Sequence, residues 1–371
     1  MAMSRKSRVA GETKLKSSGF PVLDLPIPIP FAPMEAKRQQ SVPTGDRWQF
    51  EPKWDGFRAI VFRDGDTVAI QSKAGQPLTR YFPELIEALQ ALPQKRFVID
   101  GEIVVPLEGR LSFDDLLLRI HPAESRVRKL AGETPAQLFV FDLLYDGRPG
   151  HKSLATEPLL ERRARLEDFF ERVADDSLVR LSPATTDRKL AVEWFEKFGA
   201  AGLDGVMAKL MDQPYHSGDR EAMVKVKHLK TADCVVGGYR YGEGTRLIGS
   251  LLLGLYDAGG NLVFIGHTSA FNKKERTDLK AIVEPLRGDN PFSIRVPGGP
   301  SRWSSERSGQ WEPLRAELVC EVEYDYFSQG RFRHGSRFLR WRPEKKAASC
   351  TMEQVLPPSQ QKSRKSINSF F

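Results

Sequence analysis

The sequence predicts an α+β domain followed by a small β-barrel, and three observations lead to this fold class. The length of 371 residues suits two domains of ordinary size. Residues 48 to about 227 mix strand-like and helix-like patterns, which predicts antiparallel sheets with flanking helices. After about residue 230 short strands, glycine-rich turns and one helix follow, a pattern typical of an OB-fold barrel. We expect the first domain at residues 21–229 and the OB-fold domain at residues 230–345. A disordered basic tail is expected at residues 1–20 and a flexible basic tail at residues 346–371.

The individual elements follow from proline content and hydrophobic periodicity. Five prolines lie between Pro21 and Pro33, so residues 21–45 are expected to form an extended arm on the first domain. The segments Arg58–Arg63 and Thr67–Ser72 flank an Asp-Gly-Asp turn, which predicts a hairpin. Further strands are expected at Phe97–Val105, Gln137–Leu144, Cys234–Tyr239, Ser250–Tyr256, Leu262–His267 and Leu318–Phe327. Helices are expected at Pro83–Leu92, Leu159–Val173, Asp187–Phe198 and Asn272–Pro285.

Composition indicates a soluble protein of the cytoplasm. Hydrophobic residues make up 40% and charged residues 28% of the chain, and no apolar run is long enough to span a bilayer. The basic N-terminus is not followed by the apolar segment of a secretory signal. The three cysteines are far apart and form no C-x-x-C pair, which argues against a zinc site and against a disulfide framework.

The net charge of +8 lies in the tails. Residues 1–20 and residues 345–371 each carry five Lys or Arg and one acid, so the remaining core holds 46 basic and 46 acidic residues. Overall charge is therefore weak support for a DNA-binding core, and any phosphate-binding surface must come from charges segregated to one face.

The segment from Glu51 to Arg58 places Lys53 just before an Asp-Gly turn and an arginine five residues after it. Taken alone, this pattern is most often a surface turn with a solvated lysine. A lysine amine can also serve as a nucleophile when neighbouring cations and desolvation lower its pKa, which is ordinarily about 10.4.

Two strands farther along carry chemically informative residues. Asp100 and Glu102 lie in the otherwise apolar run Phe97–Val104, and carboxylates are costly to bury unless they bind something. Solvated acids at a strand end are the alternative. The aromatic residues of Phe139–Leu144 are, on their own, more typical of a core than of a base-stacking surface.

Two later segments combine acids and lysines. In Gly202–Lys209, Asp204 and Lys209 lie five residues apart, a spacing also compatible with a plain polar turn and strand. Met223–Lys227 alternates apolar and basic residues, so Lys225 and Lys227 share one face of a strand. Because like charges on one face repel, an anion opposite them explains the pair better than a solvated face does.

In this order, the motifs resemble those of the covalent nucleotidyltransferases, the superfamily of DNA ligases, RNA ligases and mRNA capping enzymes. The similarity is greatest to bacterial ATP-dependent DNA ligases of the ligase C type and to the ligase module of ligase D. It covers roughly residues 22–345 and includes Pro33-Met34, Leu78–Leu85, Arg331–Gly335 and Arg340–Glu344. It implies a nucleotidyltransferase domain, an OB-fold domain, and sealing of DNA nicks in DNA repair through lysyl-AMP and a DNA-adenylate.

The resemblance also implies roles for individual residues. Lys53 would be the nucleophile, in the positive field of a metal ion and of Lys209, Lys225 and Lys227. Glu102 would hold the ribose, Phe141 would stack on adenine and Glu51 would lie near the adenine edge. The remaining implied contacts are Arg58 on the ribose or nick phosphate, Lys225 and Lys227 on the α-phosphate, Asp204 and Glu102 on Mg²⁺ or Mn²⁺, and Arg342 on the pyrophosphate of ATP.

Two residues depart from the family pattern. Asp204 stands where the superfamily usually has glutamate, which bears on metal contact. Lys73, in Ser72-Lys73-Ala74-Gly75, stands where the similar segment has arginine, and lysine lacks bidentate phosphate recognition.

The expected partner is nicked double-stranded DNA. We expect the protein to be a monomer that does not bind membranes and, if it is bacterial, to associate with the nucleoid. Basic residues interleaved with aromatic ones predict a DNA-binding surface. For the segment from Arg331 to Arg342, a solvated edge strand is the alternative interpretation. The predicted DNA-binding residues are Lys73, Arg80, Arg331, Arg333, Arg337 and Arg340. Ile367–Phe371 resembles a sliding-clamp-binding peptide, but Arg364 replaces the expected glutamine, which favours a plain tail.

Two other functions compete with a DNA ligase. One is an RNA ligase or another covalent nucleotidyltransferase, and the other is a non-catalytic protein that binds DNA ends. A non-catalytic DNA-binding protein would be expected to have lost residues of the lysine motif. All of them are present: Lys53, Glu102, Lys209, Lys225 and Lys227.

Overall fold

The computed structural model describes residues 19–148, 150, 152–174, 177–197, 203–269, 271–293, 295, 297, 310–328 and 330–356. Most of both predicted tails, residues 1–18 and 357–371, lies outside the described residues, and so does the clamp-like peptide Ile367–Phe371. The chain divides between Lys227 and His228 into two compact units.

The first unit contains a five-stranded sheet. Its strands, in spatial order, are Thr67–Ser72, Phe57–Asp64, Arg96–Val104, Gln137–Tyr145 and Val179–Leu181. Neighbours are antiparallel except for the last pair, which is parallel. The predicted hairpin and the two predicted apolar strands are confirmed. A two-stranded ribbon, Pro106–Leu107 with Arg110–Leu111, follows the third strand of the sheet.

A second sheet of the first unit has four strands. In spatial order they are Lys37–Gln39, Met223–Lys227, Gly205–Leu210 and Trp48–Lys53, with only the first pair parallel. Lys53 and Lys227 both stand opposite Gly205 in the register. Gly205 has a φ of +142°, and a Cβ there would lie 1.9 Å from the carbonyl oxygen of Val226. Only glycine therefore lets these strand ends come together.

Helices and an arm cover the sheets. The α-helices are Pro83–Ala91, Phe113–Leu118, Glu124–Glu133, Leu159–Phe170 and Arg188–Lys197, with a 3-10 turn at Thr79–Tyr81. The three predicted helices are confirmed, whereas Phe113–Leu118 and Glu124–Glu133 were not predicted. Residues 20–36 form neither helix nor strand, bend at residues 26–27 and 29–30, and bury Ile27 and Met34 in the core.

The second unit has the predicted pattern of short strands around one helix. Its sheet runs Leu262–Thr268, Ile248–Tyr256, Lys230–Tyr241, Val319–Tyr324 and Arg337–Trp341, and Glu312–Pro313 pairs with the third of these. Among the described residues the two edges meet only at the bridge between Thr268 and Ser336, so the barrel is not closed by a continuous ladder. The other elements are the helix Lys273–Val283, the ribbon Phe327–Ser328 with Arg331–Phe332, and 3-10 turns at Glu284–Leu286, Ala347–Ser349 and Met352–Gln354.

Candidate active site

Residues of both sheets and of the arm line a cavity of about 170 Å³ in the first unit. The predicted site residues in its wall are Glu51, Lys53, Arg58, Lys73, Glu102, Phe141, Lys209 and Lys225. These residues span more than half of the described sequence of the first unit, so it is the fold that brings them together.

Lys53, the last residue of its strand, is paired with Asp204. Its Nζ lies 2.8 Å from Asp204 Oδ2, and Lys227 Nζ lies 2.7 Å from the same oxygen. The backbone N–H of Asp204 also donates to the carbonyl oxygen of Lys53 at 2.9 Å. Burial opposes the charge on Asp204, but Lys53 and Lys227 outweigh it and hold the pKa of that carboxyl below its usual range. Asp204 and Lys227 are thus brought to the predicted nucleophile although neither lines the cavity.

The turn after Lys53 is fixed against the five-stranded sheet. The ring of Trp54 stacks on Phe139 with centroids 3.9 Å apart, and its Nε1 donates to Ser182 Oγ at 2.9 Å. At Gly56 a Cβ would lie 2.0 Å from the carbonyl oxygen of Ile103, so no larger residue fits. This packing holds the end of the strand that carries Lys53.

Glu51 and Lys209 form a buried ion pair in the cavity wall. Lys209 Nζ lies 2.7 Å from Glu51 Oε2, and Gln49 Nε2 donates to Glu51 Oε1 at 2.7 Å. The same ammonium lies 4.4 Å from the centre of the Phe141 ring, within cation–π range. The positive charge of Lys209 is therefore balanced by Glu51 and directed at the predicted stacking ring.

Arg58 is held by a carboxylate that sequence analysis did not assign to the site. Arg58 Nε and Nη2 donate to the two oxygens of Asp100 at 2.5 and 2.6 Å, which places the guanidinium carbon 4.5 Å from the centre of the Phe141 ring. Burial opposes the charge on Arg58, but Asp100 outweighs it and raises the pKa of the guanidinium. Tyr215 OH donates to Asp100 at 2.5 Å and accepts from the N–H of Met34 at 2.9 Å.

The signal for Asp100 was present in the sequence, because an acid in an apolar strand needs a partner. That partner is Arg58, on the neighbouring strand. Nothing in the local pattern pointed to Tyr215, which lies 115 residues from Asp100.

Two further cavity residues have shifted pKa values. Burial raises the pKa of Glu102 to about 7, although Lys53 and Arg58 oppose the shift. Burial lowers the pKa of Lys225, and Lys227 and Lys53 add to the effect. The Glu102 carboxyl therefore gains or loses a proton near neutral pH, and Lys225 is surrounded by other cations.

The donor set suits a divalent cation that takes most of its ligands from a substrate. No group of three or more His, Cys, Asp or Glu side chains converges among the residues that the structure describes. Glu102 and Asp204 both interact electrostatically with Lys53. Mg²⁺ is commonly bound by one or two carboxylates with substrate phosphates and water, and this pair fits that pattern.

Two of the four predicted DNA-binding arginines of the second unit are paired with acids, and so is Arg342, the predicted pyrophosphate contact. Arg337 contacts Glu323 at 3.1 Å, Arg340 contacts Glu321 at 2.7 Å, and Arg342 Nη1 lies 2.8 Å from Asp233. Arg331 is exposed, and the Arg333 guanidinium lies 5.7 Å from the centre of the Tyr326 ring.

In the first unit, Arg80 is an exposed residue that donates to the carbonyl oxygen of Pro122 at 2.7 Å, and Lys73 lies 3.3 Å from Glu35.

In the part of the chain that the structure describes, no helix combines the length and the apolar character that crossing a membrane requires.

Comparison with known proteins identifies relatives along most of the chain. Models of the ATP dependent DNA ligase domain and of the ATP dependent DNA ligase C terminal region match residues 33–227 and 244–345. DNA ligase C1 of Mycolicibacterium smegmatis is 46% identical over 346 residues, which cover 91% of this chain and 97% of that protein. The multifunctional non-homologous end joining DNA repair protein LigD of Mycobacterium tuberculosis is 31% identical over 317 residues, 83% of this chain and 38% of that protein.

A solved structure from a structure–function study of Lig E DNA ligases superposes with a TM-score of 0.56. It is 18% identical and covers 84% of this chain and 99% of its own. At that identity the likeness bears on the fold alone, and it agrees with the predicted pairing of a nucleotidyltransferase domain with an OB-fold domain.

Proposed function

The chain belongs to the ATP-dependent DNA ligases and is of the bacterial ligase C type, and from this premise we propose that Lys53 is the residue that carries AMP. The enzyme uses ATP and a divalent metal ion, as its family does. The observation that carries the proposal is the position of Lys53 in the wall of one cavity with seven other residues singled out for nucleotide or DNA binding.

The proposed reaction has three steps. Lys53 Nζ, having lost its proton to solvent, attacks the α-phosphorus of ATP, so that a P–N bond forms and the bond to pyrophosphate breaks. An oxygen of the nick 5′-phosphate then attacks the same phosphorus and releases Lys53. The 3′-hydroxyl finally attacks the activated 5′-phosphate, and AMP leaves. Such transfers depend on positioning and on charge neutralisation, which a cavity lined with lysine and arginine supplies.

The cavity residues suit separate parts of the nucleotide. Phe141 is proposed to stack on adenine, Glu51 to lie at the adenine edge beside Lys209, and Glu102 to accept hydrogen bonds from the ribose. Arg58 is proposed to contact the ribose or the nick phosphate, and Lys225 and Lys227 the α-phosphate. The pairing of Lys209 with Glu51 supports a recognition role, because a buried ion pair offers fixed donors and acceptors.

Glu102 and Asp204 are proposed to hold the divalent ion, Mg²⁺ or Mn²⁺, which would neutralise phosphate charge. Asp204 already binds two ammonium groups. Replacing one of them by another cation therefore needs no new acidic residue.

The second unit is proposed to serve ATP and DNA in turn. Arg342 would orient the pyrophosphate of ATP, and Arg331, Arg333, Arg337 and Arg340 would contact DNA phosphates, together with Lys73 and Arg80 of the first unit. The acids that pair with Arg337, Arg340 and Arg342 hold these side chains in place, and phosphate oxygens can compete for them.

We further propose that the enzyme acts as a monomer in DNA repair, in the cytoplasm and associated with the nucleoid. The likeness to a protein named for DNA repair supports that role. The C-terminal segment Ile367–Phe371 remains a proposed contact for a sliding clamp.

A strand-sealing assay tests the function and separates it from its rivals. The protein, ATP and metal are incubated with a nicked duplex whose broken strands are both DNA or both RNA. Sealing of DNA that is lost in Lys53→Ala supports the proposal. Preference for RNA strands would indicate an RNA ligase. A metal-replete wild type that binds nicked DNA and acquires no label from α-labelled ATP would indicate a binding protein.

A further inference from the structure

Three polar side chains that are almost completely buried lie together beside the predicted stacking ring. The exposed fraction of the residue is 5% for Gln49, 1% for Glu51 and 2% for Lys209. Gln49 and Glu51 lie two residues apart on one face of a strand, and Lys209 stands opposite Gln49 on the neighbouring antiparallel strand. Glu51 and Lys209 line the cavity, whereas Gln49, which the sequence did not single out, does not.

Both oxygens of the Glu51 carboxylate are held by donors of the protein. Gln49 Nε2 donates to Oε1 at 2.7 Å, and Lys209 Nζ lies 2.7 Å from Oε2. Lys209 Nζ is itself held 3.4 Å from the carbonyl oxygen of Phe141 and 4.4 Å from the centre of its ring. A carboxylate accepts through roughly four lone pairs, and an ammonium carries more donors than these contacts use. Glu51 can therefore accept, and Lys209 can donate, a further hydrogen bond without moving.

An acceptor fixed beside a donor matches one kind of purine edge. Adenine has an amino group at C6, which donates, next to the ring nitrogen N1, which accepts. Hypoxanthine and guanine have the reverse order, with a carbonyl oxygen at C6 and an N–H at N1. Against Glu51 and Lys209, the reversed edge would place acceptor against acceptor and donor against donor. Hydrogen bonds that stay unmade in a buried site are costly.

We propose that Gln49 is a positioning residue for nucleotide selection, which fixes Glu51 and Lys209 as the acceptor and donor that recognise a 6-aminopurine. The inference rests on the proposed function, because Glu51 is proposed there to lie at the adenine edge. Gln49 acts through Glu51. Without the Gln49 amide, Lys209 alone holds the carboxylate, which is then free to turn and to let Lys209 donate to a carbonyl oxygen at C6. The loss of Gln49 thus admits 6-oxopurine nucleotides.

The test compares ATP with inosine triphosphate, which differs from ATP only along this edge. Single-turnover labelling with each α-labelled nucleotide gives the ratio of the two kcat/KM values. The wild type should prefer ATP by at least about 100-fold. Gln49→Met keeps the length of the side chain but removes its donor, and should lower the ratio about three- to tenfold. Glu51→Gln should lower it at least about tenfold, because a side-chain amide offers a donor as well as an acceptor.

Gln71 offers a matched control in the same unit. It is fully buried, its Nε2 donates to the carbonyl oxygen of Phe31 at 2.6 Å, and it does not line the cavity. Gln71→Met loses a comparable hydrogen bond, so it should lower the thermal stability and leave the preference for ATP unchanged. A ratio that falls in Gln49→Met and not in Gln71→Met therefore separates nucleotide selection from a loss of stability.

Equal use of the two nucleotides by the wild type overturns the proposal, and so does a Gln49→Met variant that keeps the wild-type ratio. Glu51→Gln preserves the shape of its side chain and replaces Gln49→Met as the test if the latter does not fold. An unchanged ratio in Glu51→Gln likewise overturns the proposal. The absence of any labelling of the wild type by ATP would instead contradict the proposed function.

Discussion

Asp204 Oδ2 lies 2.8 Å from Lys53 Nζ, so the amine proposed to attack ATP is held in an ion pair. Attack needs the lone pair of that nitrogen, and Asp204 must therefore exchange Lys53 for another cation during the reaction. Lys227, 2.7 Å from the same oxygen, keeps the carboxylate in place while this happens.

The ion pair predicts that two substitutions of Asp204 differ in their effect on the rate of lysine adenylation. Asp204→Asn should slow lysine adenylation at least about tenfold, or ~1.4 kcal/mol, because an amide can neither balance Lys227 nor hold a divalent cation. Asp204→Glu keeps a carboxylate at this position and introduces the residue that the superfamily usually has there, so it should retain most of the rate of lysine adenylation. Single-turnover labelling with α-labelled ATP over a metal titration measures both. An asparagine variant as fast as the wild type at every metal concentration would show that the carboxylate is dispensable.

Glu102 makes ligand binding depend on pH. Burial raises its pKa to about 7, so the carboxylate that is proposed to accept hydrogen bonds from the ribose is lost by protonation as the pH falls below about 7. Affinity for adenosine, which carries no phosphate of its own, should therefore decline from pH 8 to pH 6. Calorimetric titration of the wild type and Glu102→Gln measures this, and the variant should lose the Glu102-dependent part of the decline. Equal pH dependence in the two proteins would contradict the role of Glu102.

Asp100 is predicted to matter for stability as well as for activity. Asp100→Asn leaves the guanidinium of Arg58 without its charged partner, and breaking a buried pair typically costs about 3–5 kcal/mol. Tyr215→Phe removes one hydrogen bond and should cost about 1 kcal/mol. Thermal unfolding measures both, with Asp212→Asn in an exposed pair as the control that should change little. An Asp100→Asn variant as stable as that control would show that Arg58 finds another partner.

Arg342 and Arg337 are predicted to act in different steps. Arg342→Ala should impair adenylation of Lys53 far more than sealing of a nick that already carries AMP, because Arg342 is proposed to act on pyrophosphate. Arg337→Ala should weaken nick binding and leave adenylation intact. Each variant is assayed with α-labelled ATP alone and with a pre-adenylated nick. The same pattern of defects in both variants would contradict the separate roles.

How far the sequence predicted this molecule depended on the distance between interacting residues. The strand that ends at Lys53, the hairpin and the apolar strands follow from local periodicity, and the order of motifs gave the family. The short helix Glu124–Glu133 buries only Val127 among its residues, so its apolar pattern was too sparse to predict it.

Partners of the site residues were less accessible, because they depend on strand register. Arg340 stands opposite Glu321, and Arg337 stands opposite Glu323, on the adjacent antiparallel strand. A basic and aromatic segment read by itself therefore looked like a free cationic surface. The contact between Tyr215 and Met34 spans 181 residues, and no local signal could have indicated it.

Peptide mapping of the protein after incubation with ATP and a divalent metal ion is the most direct test of the central claim. We expect one added AMP, carried by Lys53, and no added mass in Lys53→Ala. AMP found on another side chain of the wild type, or on Lys53→Ala at the wild-type level, would contradict the assignment of Lys53 as the nucleophile.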